Sequence, residues 1–233
     1  MKPARSLPRM FVPGASPDAE IELPKAEVDK LRKVLRLTAG ADIAVLPNDG
    51  SLIRATFTGY SAVPVSQEFP ATESRVKITL IQALPKGEKL DEIVRAGTEL
   101  GVFHFTLFPS ERTVVRWDQN KLNDRLRRLD TIAREAAEVS YRTQLPTFSY
   151  VSSLKDALSA HPEADVLSEV EGLGRRLSRV RLGEKAVVIG PEGGWAPRER
   201  ELIGDRAVTI GPRVLRVEHA AIAACSILLC DYA

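Results

Sequence analysis

Two stretches of the chain open alike and offer a ligand little besides backbone. Residues 187–195 read VVIGPEGGW and residues 208–219 read VTIGPRVLRVEH. Each is an apolar run that stops at Ile-Gly-Pro. Glycine lets a backbone turn sharply or approach a ligand closely, so such a loop can present amide N–H and carbonyl groups directly. A triphosphate cradle would need G-x-x-x-x-G-K-[ST], whose lysine neutralises the phosphates. Neither stretch contains a lysine, and G-x-G-x-x-G is absent as well. What remains is exposed backbone beside Ile189, Ile210, Val214 and Leu215, which suits a ligand with a flat base and little anionic charge. S-adenosylmethionine is such a ligand. The alternative is that both stretches are only tight strand-to-helix connections.

The elements around these loops follow from periodicity. From Val76 the chain alternates strand and helix. The strands are VKITLIQ, FHFTLF, ADVLS (164–168), KAVVIG (185–190) and RAVTIG (206–211). Leu90, Ile93, Val94, Gly97 and Leu100 recur at helical spacing, with Gly101 placed to end that helix. Leu122, Leu126, Leu129, Ala133, Ala136 and Ser140 make a second stripe, on a helix starting near Asp118. A last helix begins near Glu218. Alternating units imply an α/β fold with a mostly parallel sheet, whose ligands bind beyond the carboxyl ends of the strands. Ser168, Ile189 and Ile210 stand at three such ends.

The first 70 residues or so differ. Short segments (RMFV, DIAVL, LIRATF) separated by Pro, Gly, Asn and Asp predict a small β-rich domain. It holds one helical stretch, KAEVDKLRKVLRL, with Val28, Leu31 and Leu35 on one face. SAVPVSQEFPATES (61–74) reads as a linker, which sets domains at 1–72 and 73–233.

Composition narrows the classes. The chain has 233 residues, 44% hydrophobic and 27% charged, as in ordinary globular proteins. No segment approaches the roughly 18 apolar residues that span a bilayer, so no membrane partner is expected. The N-terminus lacks the apolar core of a secretory signal. Cys225 and Cys230 are spaced so as not to pair readily, which predicts two buried thiols in a reducing cytoplasm. His104, His161 and His219 are scattered, so no metal is expected. Net charge is only +2. Basic residues nevertheless cluster: Lys2, Arg5, Arg9, Lys30, Arg32, Lys33 and Arg36 in one group, and Lys121, Arg125, Arg127, Arg128, Arg134 and Arg142 in another. Each is a solvated face or an RNA-facing patch.

IGPEGGWAPRE followed by TIGPRVLRVEHAA closely resembles the C-terminal signature of the RsmE family of ribosomal RNA methyltransferases, of the SPOUT superfamily. LRKVLRL, LPKGEKLDEIVRAGTELGVFHFTLFPSER and AREAAEVSYRTQLP are similar to further family blocks, in the same order. The resemblance implies a PUA-like β-barrel that grips RNA, then an α/β methyltransferase domain with a C-terminal trefoil knot. It implies a cytoplasmic homodimer that uses S-adenosyl-L-methionine to methylate N3 of a uridine in small-subunit (16S) ribosomal RNA or the 30S subunit. Cofactor contacts carry over to Leu167, Ser168, Glu169, Ile189, Gly190, Glu192, Gly193, Gly194, Ile210, Gly211, Arg213, Val214, Leu215 and Arg216. RNA contacts fall on Arg9, Lys33, Arg36, Lys86, Arg112 and Arg142, with ion pairs of Arg112 or Arg142 to Glu99 or Glu138 as the alternative.

Methylating a uridine at N3 requires loss of the imide proton. Arg216 is placed to stabilise the resulting anion and Glu218 to orient it or accept the proton. Glu218 has a plainer reading as a first-turn carboxylate favouring the helix dipole, and His219 is a rival base. The chain departs from the family at Lys30 and Ala96, at Ala137 and Val139, and at Val217 and His219. These departures lie on the substrate side. They leave open a SPOUT enzyme acting on another RNA position, or a non-catalytic RNA-binding assembly factor.

Overall fold

The computed structural model describes residues 3–168 and 175–230. The chain divides into two compact units, Met1–Glu73 with Ala137–Leu145, and Ser74–Ala136 with Pro146–Ala233.

In the first unit, β1 (Arg9–Phe11), β2 (Ile21–Glu22), β3 (Asp42–Leu46), β4 (Leu52–Phe57) and β5 (Ser61–Glu68) form one sheet in the order β1-β3-β4-β5-β2. Side chains alternate across a strand, and β3 uses both faces. Ile43 and Val45 join one apolar cluster with Met10, Ile53 and Phe57, while Ala44 and Leu46 join another with Phe11 and Leu52. The second cluster is completed from far along the chain by Ala137, with Tyr141 and Leu145 packed against it.

Two expectations fail here. Residues 61–68 are not a linker but the eight-residue strand β5, paired with β4 and β2. Pro64 argued against a strand because it cannot donate to a ladder. It sits beside a register shift between Arg54 and Ala55, one of the few places a strand accepts proline. The helical stretch is also irregular. After α1 (Lys25–Asp29), residues Lys30–Val34 wind as a π-helical turn, and the wider turn rotates the apolar stripe off its 3.6-residue period. Leu31 stays buried, but Leu35 is 43% exposed.

The second unit is a seven-stranded parallel sheet. Its strands are β6 (Val76–Ala83), β7 (His104–Phe108), β8 (Thr147–Tyr150), β9 (Asp165–Leu167), β10 (Arg175–Arg176), β11 (Gly183–Ile189) and β12 (Ala207–Thr209). Their order is β10-β12-β9-β11-β6-β7-β8, and every pairing is parallel. Both faces are covered, which is why the central strands read as unbroken apolar runs. Val187 and Ile189 pack on one side with α2 (Lys89–Leu100), α3 (Gln119–Val139) and α6 (Val217–Leu229). Ala186 and Val188 pack on the other with α4 (Leu154–Ala160) and α5 (Pro197–Ile203). Gly101 ends α2 with φ 105°, as its position predicts. Leu129, Ala133 and Ala136 on α3 are buried, whereas Ser140 lies past its end. Cys225 is buried, and burial, with Cys230 adding to it, pushes the Cys225 thiol up to about 12. Cys230 is only half-buried, and both thiols are free.

Candidate functional site: a cleft beyond three strand ends

Beyond the carboxyl ends of β9, β11 and β12 lies a cleft of about 710 Å³, within the usual range of small-molecule sites. Leu167, Ser168, Ile189, Gly190, Glu192, Gly193, Gly194, Ile210, Gly211, Arg213, Val214, Leu215 and Arg216 all line it. The remaining expected contact, Glu169, lies outside the described residues.

Its walls are joined by side chains. Trp195 packs its ring over Gly190, where an added Cβ would meet ring carbons at 3.0 Å. Its indole N–H donates to the Leu167 carbonyl at 2.9 Å. Gly193 is backed by Arg112: an added Cβ would lie 3.4 Å from that side chain's Cβ, and Arg112 Nη1 donates to the Gly193 carbonyl at 2.8 Å. These two glycines therefore admit protein neighbours. Gly194 (φ 68°) and Gly211 (φ 153°) instead face open space in conformations that favour glycine. Behind the loop, Glu199 is buried. It accepts from Ser110 Oγ and the Ala196 N–H through Oε2, and from the Glu111 N–H through Oε1, fixing the start of α5.

The lysine missing from the loops arrives from elsewhere. Lys89, the first residue of α2, lines the cleft. Its Nζ lies 3.0 Å from Glu192 Oε1 and 3.7 Å from Glu218 Oε2. Sequence reading missed it, although a cation opening a helix opposes the helix dipole and so implies a nearby acid. Trp195, Arg200, Thr209 and Val217 were also missed and line the cleft. Burial pushes the Glu192 carboxyl up, but the Lys86 N–H, its own N–H and Lys89 outweigh this and hold it below the usual range.

Arg216 reaches the cleft from the N-cap of α6, exposed. Glu218 is 6% exposed, and neither it nor the exposed His219 is among the described lining residues. Glu218 meets the cleft only through Lys89.

The expected RNA contacts fall in both units. Lys86 is exposed and its N–H donates to Glu192 Oε1 at 2.9 Å. In the first unit, Arg9 and Arg5 stack on the Tyr141 ring. Lys33 is exposed and pairs with Asp29 at 2.9 Å, and Arg36 is exposed with φ 54°. Arg142 is only 4% exposed, and its Nε and Nη2 donate to Glu73 Oε2 at 3.1 and 2.9 Å. Burial of this guanidinium corrects the expectation that it meets RNA directly, and Glu73 is a partner the sequence did not suggest. Lys30, one of the departures from the family, donates to Glu138 Oε2 at 2.7 Å. Among the described residues no cluster could hold a metal ion, and no helix is long and apolar enough to cross a membrane.

Known proteins share this fold. The RNA methyltransferase domain family matches residues 72–229. The ribosomal RNA small subunit methyltransferase E of Bacillus subtilis is 31% identical over 224 residues, covering 86% of each chain. The crystal structure of the enzyme of that name from Neisseria gonorrhoeae, bound to S-adenosylmethionine, superposes with a TM-score of 0.84 at 30% identity. That match covers 94% of this chain and 96% of the other. A Legionella pneumophila methyltransferase in complex with S-adenosylmethionine gives a TM-score of 0.86 at 27% identity, over 95% and 96% of the two chains. By these matches the chain belongs to the ribosomal RNA small subunit methyltransferase E family, S-adenosylmethionine-dependent enzymes of small-subunit ribosomal RNA.

Proposed function

We propose that this protein transfers the methyl group of S-adenosylmethionine to N3 of a uridine in small-subunit ribosomal RNA. One observation carries the reading: every described residue of the expected cofactor set lines a single cleft. The cleft also fits the group chemically. Ile189, Ile210, Val214 and Leu215 offer apolar surface for a base, open backbone at Gly194 and Gly211 offers polar groups, and Glu192 and the arginines offer both signs of charge.

When bound, the cofactor supplies an electrophilic methyl group on a sulfonium. The protein's part is to align the uracil nitrogen and to stabilise the ring once its N3 proton has left. Arg216, exposed at the rim, is assigned to the negative charge on the uracil oxygens. Glu218 is assigned to orientation through Lys89, since its buried carboxylate faces that lysine.

The second unit is proposed to carry a trefoil knot, in keeping with cleft-lining residues at three neighbouring parallel strand ends. The first unit is proposed to be a PUA-like barrel that grips RNA through Arg9, Lys33 and Arg36, with Lys86 and Arg112 contributing near the cleft. A cytoplasmic homodimer is proposed as the working form; Val214, 78% exposed on the cleft wall, is an apolar group that a second subunit would cover.

Calorimetry with S-adenosylmethionine and mass mapping of modified nucleosides in ribosomal RNA from a deletion strain test the reading together. Binding in the micromolar range and loss of one 3-methyluridine are expected. Binding with loss of a different modified nucleoside would move the target, and no binding would leave an RNA-binding protein without this chemistry.

A further inference from the structure

Glu192 is the only carboxylate among the described residues that line the cleft, against the cations Lys89, Arg112, Arg200, Arg213 and Arg216. Its two oxygens are used unequally. The Lys86 N–H at 2.9 Å and Lys89 Nζ at 3.0 Å both reach Oε1. Glu192's own N–H also reaches its carboxylate, and no donor from another described residue reaches Oε2. A carboxylate fixed on one oxygen presents the other in a set direction. The donors come from the turn before α2 and from its first residue, and Lys89 is itself steadied by Glu218 on α6 at 3.7 Å.

A carboxylate oxygen that takes no donor from another described residue, on the wall of a cleft, has room for a cationic donor from a ligand. S-adenosylmethionine carries two positive groups. Its sulfonium has no N–H or O–H to give, whereas its α-ammonium has three hydrogens, and charge-assisted hydrogen bonds of this kind are the strong ones. We infer that Glu192 Oε2 receives the α-ammonium of the cofactor, and that Lys89 is a positioning residue that holds Glu192 for this contact. The inference rests on the cofactor assignment proposed above. It explains why a lysine belongs beside the cleft without serving a phosphate: it aims an acid.

Calorimetry on the full chain separates the two claims, using S-adenosylhomocysteine and its analogue lacking the amino group. The wild type is expected to prefer the amino-bearing ligand by about 10- to 100-fold. Glu192→Gln should erase most of that preference. Lys89→Met should reduce it, and Lys89→Arg should restore it, a rescue that simple loss of packing would not produce. Failure of the wild type to bind S-adenosylhomocysteine at all would remove the cofactor assignment itself. Binding with equal affinity for both ligands, or a preference that survives Glu192→Gln, would overturn the ammonium contact alone. An unchanged preference in Lys89→Met would overturn the positioning role. If Glu192→Gln abolished the preference for S-adenosylmethionine over S-adenosylhomocysteine but kept that for the amino group, the contact would belong to the sulfonium.

Discussion

Trp195 gives its indole N–H to the carbonyl of Leu167 at 2.9 Å, so the loop after β11 is tied to the end of β9 by one side chain. The same ring lies 6.5 Å from that of Phe108, stacked at 6°, and is 5% exposed. Trp195→Phe keeps most of the packing and loses the tie. It should cost about 0.5–1.5 kcal/mol of stability and weaken cofactor binding further, as two walls of the cleft lose their common brace. Denaturant unfolding and calorimetry on the same preparation would expose an error, which would show as a stability loss with unaltered affinity.

Gly190 and Gly193 answer to different neighbours. Gly190→Ala should overpack the Trp195 ring, at roughly 1–3 kcal/mol, and lower the Tm. Gly193→Val should displace Arg112 and release the Gly193 carbonyl it holds. Cofactor binding should then be lost while circular dichroism stays native. Retained affinity in Gly193→Val would return this stretch to the status of a tight turn.

The charges at the cleft set its pH response. Glu192 is held below the usual range, against the desolvating effect of burial, by the Lys86 N–H, its own N–H and Lys89. Its contribution is therefore present above the ordinary glutamate value of about 4.3 and is lost as pH falls through the depressed folded value. Lys89 is raised, chiefly by its hydrogen bond to Glu192. Its contribution is present below about 10.4 and is lost as pH rises through the raised value. Ligand affinity measured by calorimetry should fall at the acid end as Glu192 is protonated, and at the alkaline end where the ligand's own α-ammonium loses its proton, before Lys89 does; constant affinity across the alkaline range would contradict the ammonium contact.

Proton removal can be assigned by turnover at saturating cofactor. Glu218→Gln should slow the methyl-transfer rate because it disturbs Lys89, while His219→Ala should leave it near wild type, since His219 is exposed and away from the described cleft lining. The opposite pattern would make His219 the base.

Arg142→Met should destabilise the protein by about 1.5–3 kcal/mol, the scale of hydrogen bonds to a charged partner, because Glu73 loses its guanidinium. The salt slope of RNA binding should not change, as a buried cation releases no phosphate counterion. Arg36→Ala, at an exposed cation, should reduce that slope by about one.

Much of the second unit was legible because its signals are local. Apolar runs such as VVIG and the stripe Leu90, Ile93, Val94 need no distant partner to be read. The cleft was legible from Gly-Pro at two strand ends. Lys89 was not, because its meaning depends on Glu192 and Glu218, each more than 100 residues away in sequence. Leu35 was misread because a π-turn breaks the period on which the stripe was counted. Pro64 hid a strand because its irregular register is visible only once β4 is paired beside it.

The segment Ala137–Leu145 belongs to the first unit although the second unit's chain precedes and follows it. It gives that unit Ala137 for an apolar cluster, Glu138 for the Phe11 N–H and Lys30, and the Leu145 N–H for Asn48. The N-terminal module is thus not a portable cassette. Residues 1–73 cut out alone would expose the gap left by Ala137 and take Glu138 away from Lys30 and the Phe11 N–H. A graft onto another enzyme would have to bring this later segment along, so the gene's two halves have to change in step.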